Sequence, residues 1–154
     1  MKSLADVGCG HRCSLLTARR ETWRPGPWNR EPDRIDFQHA GLACLLHRNT
    51  FGAWCGYVGV PPGHPWHGKS YDDVDVRVHG GLTYANGCAE HLCHVPAPGE
   101  PDALHWFGFD CNHAFDYAPG LGLEGIRRDG QVYRDVNWVR RETEQLAEQL
   151  AERA

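Results

Sequence analysis

The chain has 154 residues, enough for one domain with a core of its own. Hydrophobic residues make up 41% and charged residues 23%, with a formal net charge of −4. This balance excludes a disordered charged tail and a bundle of membrane-spanning helices. It gives no strong nucleic-acid signal, because such binders carry a basic excess. No apolar leader-like stretch opens the chain, so a cytoplasmic location is expected. Seven Cys and ten His are many for this length. An odd cysteine count without an export signal argues against a disulfide framework and for buried thiols, metal ligands or catalysis.

Residues 1–20 read as a poorly ordered N-terminal extension, and residues 21–154 as a single α+β domain. Pro25, Pro27 and Pro32 block regular structure, while Trp23 and Trp28 can anchor this arm on the domain. From Arg34 the pattern turns strand-like. Ile35 and Phe37 alternate with polar neighbours, Leu42 opens a short apolar run, and Trp54, Tyr57, Val58 and Val60 mark a third run. Tight Gly-containing turns between them predict an antiparallel meander. The Pro-rich stretch 61–68 is a loop of defined shape carrying Trp66. Val74, Val76 and Val78 alternate with Asp75 and Arg77, the clearest strand pattern in the chain. A further aromatic strand is expected over residues 104–109. Asp135 is a candidate N-cap for a closing helix, with Val136, Val139, Leu146 and Leu150 on one face. The fold expected is α+β: an antiparallel sheet of about five strands, meander-like, with the C-terminal helix packed on one face.

Four groups of residues carry candidate chemistry. Cys88, His91, Cys93 and His94 fall within seven residues, and thiolate and imidazole are the preferred zinc ligands. They are candidate ligands for zinc or another divalent metal, the alternative being a loop with buried thiols and solvated histidines. Asp110, Cys111, His113 and Asp116 lie at the end of a strand, where a scaffold holds reactive groups in reach of solvent. The Asp and His residues suit a metal or a base with its orienting carboxylate. Cys111 is either a thiolate nucleophile or a buried thiol. His79 precedes Gly80 and Gly81, whose amides can face an anion. Arg134 adds positive charge before the helix, where a capping Asp135 beside a surface Arg is the plainer reading. Tyr84 and Trp66 are candidates to stack a flat ring, or else belong to the core.

Several long motifs resemble a family. They are Gly56-Tyr57-Val58-Gly59-Val60-Pro61-Pro62-Gly63-His64-Pro65, His79-Gly80-Gly81-Leu82-Thr83-Tyr84, Trp106-Phe107-Gly108-Phe109-Asp110-Cys111-x-His113-Ala114 and Tyr133-Arg134-Asp135. From about Trp23 to the end, the chain resembles small bacteriophage and actinobacterial proteins to which no activity is assigned. The resemblance implies a phage or prophage origin and action inside the bacterial host. It transfers no residue roles.

The residues themselves suggest a hydrolase, metal-assisted, acting on a phosphate-containing small molecule such as a nucleotide. His79, Asp110, His113 and Asp116 are the candidate catalytic groups, and Gly80, Gly81, Tyr84, Trp66 and Arg134 the candidate ligand-binding ones. The alternative is a non-catalytic phage protein that sequesters a nucleotide-like ligand or binds a host protein, with any zinc purely structural.

Overall fold

The computed structural model describes residues 20–87, 92, 98–99, 103–120 and 130–154. Residues 1–19, most of the expected extension, lie outside them.

Five strands form one antiparallel sheet: β1 (Arg34–His39), β2 (Leu42–Arg48), β3 (Trp54–Val60), β4 (Tyr84–Asn86) and β5 (His105–Asp110). Their order is β1-β2-β3-β5-β4, so the meander holds for three strands and β5 then inserts beside β3. The closing helix, α1 (Val136–Ala151), packs on one face. The α+β architecture is therefore the expected one. β2 and β3 are covered on both faces, which is why they read as continuous apolar runs. Ala40 and Gly41, at φ 51° and 77°, make the two-residue turn between β1 and β2. Left-handed residues at both positions match the twist of the paired strands.

The helix side of the sheet carries the larger core: Leu46, Trp54, Val58, Phe107 and Phe109 against Val139, Leu146 and Leu150. The Asp135 side chain accepts the Trp138 N–H at 2.8 Å and starts α1 where expected. The helix comes close to β3 at Gly56, where a Cβ would lie 2.2 Å from Thr143 Oγ1. The opposite face is covered by Leu92 and Leu104, packed on Leu45, Cys55, Tyr57 and Trp106.

The segment with the clearest strand pattern is not a strand. Residues 74–78 have no ladder partner among the described residues, the Val76 N–H donating instead to the Val74 carbonyl at 3.2 Å, and the fifth strand is the shorter β4. The alternation is real: Val74, Val76 and Val78 pack on the main core. What differs is the backbone partner. The Gln149 side chain accepts the Arg77 N–H at 2.7 Å and donates to the Arg77 carbonyl at 2.8 Å. One helix amide thus takes the place of a neighbouring strand, a substitution that the period of two cannot reveal.

The Pro-rich loop is held by histidines. His64 is buried and donates Nε2–H to the Leu150 carbonyl at 2.7 Å, while its Nδ1 accepts the Trp66 N–H at 3.1 Å. His67 and His105 donate to the Ala103 and Lys69 carbonyls at 2.8 and 2.9 Å.

The arm is anchored through Trp23 and Trp28, which form a second aromatic cluster with Tyr117 and Tyr133. Beside it lies Arg48, fully buried. Its terminal nitrogens donate to the Gly52 carbonyl (2.8 Å), the Tyr133 hydroxyl (3.0 Å) and Glu31 Oε1 (3.1 Å). Its Nε lies 3.0 Å from Asp33 Oδ1, an ion-pair contact outside good hydrogen-bond geometry. The guanidinium stacks on Trp54 at 4.3 Å. Removing one member of a buried ion pair costs about 3–5 kcal/mol, because the other charge stays buried without a counter-charge. Arg48→Met should therefore lower unfolding stability by about that amount in urea titration. A loss under about 1 kcal/mol would show that the network contributes little.

Candidate functional site

The site forms where three chain segments meet at the N-terminal end of α1. The segment 74–79 delivers His79. The turn after β5 delivers His113 and Asp116. The residues leading into α1 deliver Arg134.

Asp116 sits at the centre. It is buried, and its backbone bridges to Val132 in a short parallel contact. Its Oδ2 accepts His79 Nε2–H at 2.7 Å and the His113 backbone N–H at 3.1 Å. Its Oδ1 accepts Arg134 Nε–H at 3.1 Å. Burial alone would raise the Asp116 pKa. The hydrogen bonds from His79, the His113 amide and Arg134 outweigh it and hold the carboxyl below its ordinary value. Asp116 is thus an anion at neutral pH.

His79 is fixed from three sides. Besides Asp116, its ring meets Trp138 edge to face at 4.9 Å, and its backbone N–H donates to Glu142 Oε2 at 3.1 Å. Trp138 and Glu142 are one helical turn apart on α1, so a single helix face seats the histidine. Arg134 stacks over Trp138 at 4.6 Å.

The His113 ring lies 5.4 Å from that of His79 and packs against Gly80. Gly80 has φ 69°, and a Cβ there would stand 1.9 Å from His113 Nε2. Gly80 therefore serves close approach of backbone to this ring. Among the described residues, the buried His113 Nε2 has no hydrogen-bond partner.

Among the described residues, His79, His113 and Asp116 bring one ligand atom each within 4.8 Å of one another and could hold a metal ion. Two imidazoles and a carboxylate are a sound donor set for zinc and several other divalent metals.

The residues expected from sequence divide clearly. His79, His113, Asp116, Arg134 and Gly80 come together, with Asp110 alongside, 3.8 Å from His113 Nε2. Asp110 already accepts from the Thr83 hydroxyl at 2.9 Å and the Asn112 N–H at 3.0 Å. The Gly81 N–H is spent on the Val78 carbonyl at 2.9 Å, so it does not face an anion. Tyr84 packs on Tyr57, on the sheet face away from the helix. Trp66 packs with His64 and Arg153 near the far end of α1. Neither aromatic residue reaches the site. Cys111 is buried and burial raises its thiol pKa, so it is no thiolate nucleophile. Burial likewise pushes Cys44 and Cys55 up to about 12. The helix start is not open to an anion either, since Glu31 accepts the Val136 N–H at 2.6 Å and Asp135 that of Trp138. Cys88, His91, Cys93 and His94 lie outside the described residues.

Thr83, Trp138 and Glu142 were not legible as site residues. Trp138 and Glu142 fall off the apolar stripe of α1 and carry no motif of their own. No protein-family model, curated protein or solved structure matches the chain. Among the described residues, no helix is long and apolar enough to cross a membrane.

Two outcomes follow from this geometry. Gly80→Ala and Gly81→Ala both place a side chain at positive φ, at a cost of about 1–2 kcal/mol. Gly81 has open space around it, whereas Gly80 meets the His113 ring. Thermal unfolding should show Gly80→Ala as clearly the more destabilised, and equal losses would refute the ring contact. Acid stability gives the second. Asp116 binds a proton less readily folded than unfolded, so its contribution is complete above the unfolded carboxyl pKa, near pH 4, and lost as pH falls through the folded value. In chelator-treated protein, Asp116→Asn should flatten that acid limb of the stability curve. An unchanged limb would contradict the ionised, bonded carboxylate.

Proposed function

We propose that the His79–His113–Asp116 group takes up a divalent ion, zinc or a metal of similar preference, and activates water to hydrolyse a phosphate-containing small molecule such as a nucleotide. The supporting observation is the gathering of two imidazoles, His79 and His113, around the buried carboxylate of Asp116, with one ligand atom of each residue within 4.8 Å of the others. The short His79–Asp116 hydrogen bond is the arrangement two ligands adopt toward each other when a proton occupies the space between them. An ion there would take the Nε2 lone pair of His79, leaving the ring proton on Nδ1, and uptake would weaken as pH falls because protons compete for the ligand atoms. Bound to such a centre, water loses a proton near neutral pH.

Arg134 supports the choice of substrate class. Its Nε is taken by Asp116 and its plane lies on Trp138. Among the described residues its two terminal nitrogens make no hydrogen bond. A guanidinium held this way presents a planar pair of donors, the geometry that suits phosphate oxygens.

The test is a thermal shift with zinc, followed by turnover of a nucleotide panel by the loaded protein. A ligand at 100 times its Kd stabilises by about 2.7 kcal/mol, a shift easily resolved. Wild type should gain it and His79→Ala should not. Turnover should fall to background in His113→Ala, and Arg134→Met should mainly raise KM. Zinc uptake with intact nucleotide recovered after denaturation would favour sequestration over hydrolysis. Absence of any metal effect would refute the proposal.

A further inference from the structure

The proposed centre leaves one detail unexplained: a buried ring nitrogen, His113 Nε2, with no hydrogen bond among the described residues. Such a group is costly unless it acquires a partner. Among the described residues the nearest acidic atom is Asp110 Oδ1, at 3.8 Å. That oxygen is fixed in place, because Asp110 ends β5 and both its oxygens are bonded. Oδ2 accepts from the Thr83 hydroxyl and Oδ1 from the Asn112 N–H. An oxygen accepting one such bond retains a lone pair for another donor. His113 itself is about one-third exposed, so its ring has room for the small rotation that closes the gap.

We propose that Asp110 is a positioning residue that receives the Nε2 proton of His113 and thereby turns Nδ1 of that ring toward His79 and Asp116 as the ligand atom. The inference rests on the metal reading of the site. A ligating histidine ordinarily donates its other ring N–H to a carboxylate or carbonyl, which fixes the tautomer and strengthens the ligand. Here the chain runs from Thr83 through Asp110 to His113. Asp110 touches neither ion nor substrate in this arrangement. Its place in the motif is explained by action through the histidine.

Histidine nitrogen NMR on ¹⁵N-labelled, metal-free protein reads the tautomer directly. His113 should be protonated at Nε2 and bare at Nδ1. The opposite tautomer would overturn the proposal whether or not metal binds. Zinc affinity, measured by competition with a chromophoric chelator, gives the second readout. Asp110→Asn keeps the shape and should weaken zinc about 10–100-fold, the range for loss of such an outer partner. Thr83→Val removes only the hydroxyl behind Asp110 and should shift affinity in the same direction by less. It serves if Asp110→Asn fails to fold. Unchanged affinity in a folded Asp110→Asn would overturn the proposal. Failure of wild type to take up zinc would instead sink the reading of the centre, and the tautomer would then decide the role of Asp110 alone.

Discussion

The buried guanidinium of Arg48 is the constraint on which the rest of the molecule depends. A charge with no solvent contact must find its partners inside the fold, and Arg48 draws four of them from three places. Glu31 and Asp33 come from the arm, Gly52 from the turn after β2, and Tyr133 from the approach to α1. Lysine could not serve, because the contacts need several donors in one plane and a flat face on Trp54. Glu31 extends the network one step further, accepting the Val136 N–H and the Tyr133 hydroxyl. The start of α1 is thus located by a charge on β2. Arg134 follows Tyr133 directly, so the same network that fixes the core edge also brings Arg134 to Asp116.

From there the site is assembled by unlike means. The turn from His113 to Asp116 is short and internally bonded, with the Asp116 N–H donating to the His113 carbonyl at 2.9 Å. His79 arrives on a segment without sheet partners, clipped to α1 by Gln149 and Glu142. Asp116 is the atom group at which these segments are joined, through three hydrogen bonds to three separate stretches of backbone or side chain. Such a carboxylate both stabilises the fold and concentrates negative charge where imidazoles converge. That coincidence makes the cluster a candidate metal centre rather than an ordinary surface ion pair.

The fold was legible where burial alone decides structure. β1, β2, β3 and β5 follow from apolar runs and glycine turns, and α1 from its stripe and Asp135. The segment around Val76 misled because alternation reports which face is buried, and not what the backbone bonds to. A glutamine on a helix leaves no trace in that pattern. The site was legible in part for a similar reason. His79, Asp110, His113 and Asp116 sit at element ends, where motif and position agree, and they do converge. Tyr84 and Trp66 have the chemistry of stacking residues, but they pack on Tyr57 and beside His64, and the Gly81 N–H is taken by the Val78 carbonyl. Trp138 and Glu142 were invisible because their role depends on a segment sixty residues away in the chain packing on that helix face.

Two regions of this chain compete as the place for a metal: the cysteine-rich connection with Cys88, His91, Cys93 and His94, and the His79–His113–Asp116 group. Their donor atoms differ, and X-ray absorption at the zinc edge separates them. In protein loaded with one equivalent of zinc, only nitrogen and oxygen neighbours are expected around the ion, among them a carboxylate oxygen, with the outer scattering of two imidazole rings. Sulfur in the first shell would place the ion on the cysteines and contradict the assignment of the centre to His79, His113 and Asp116.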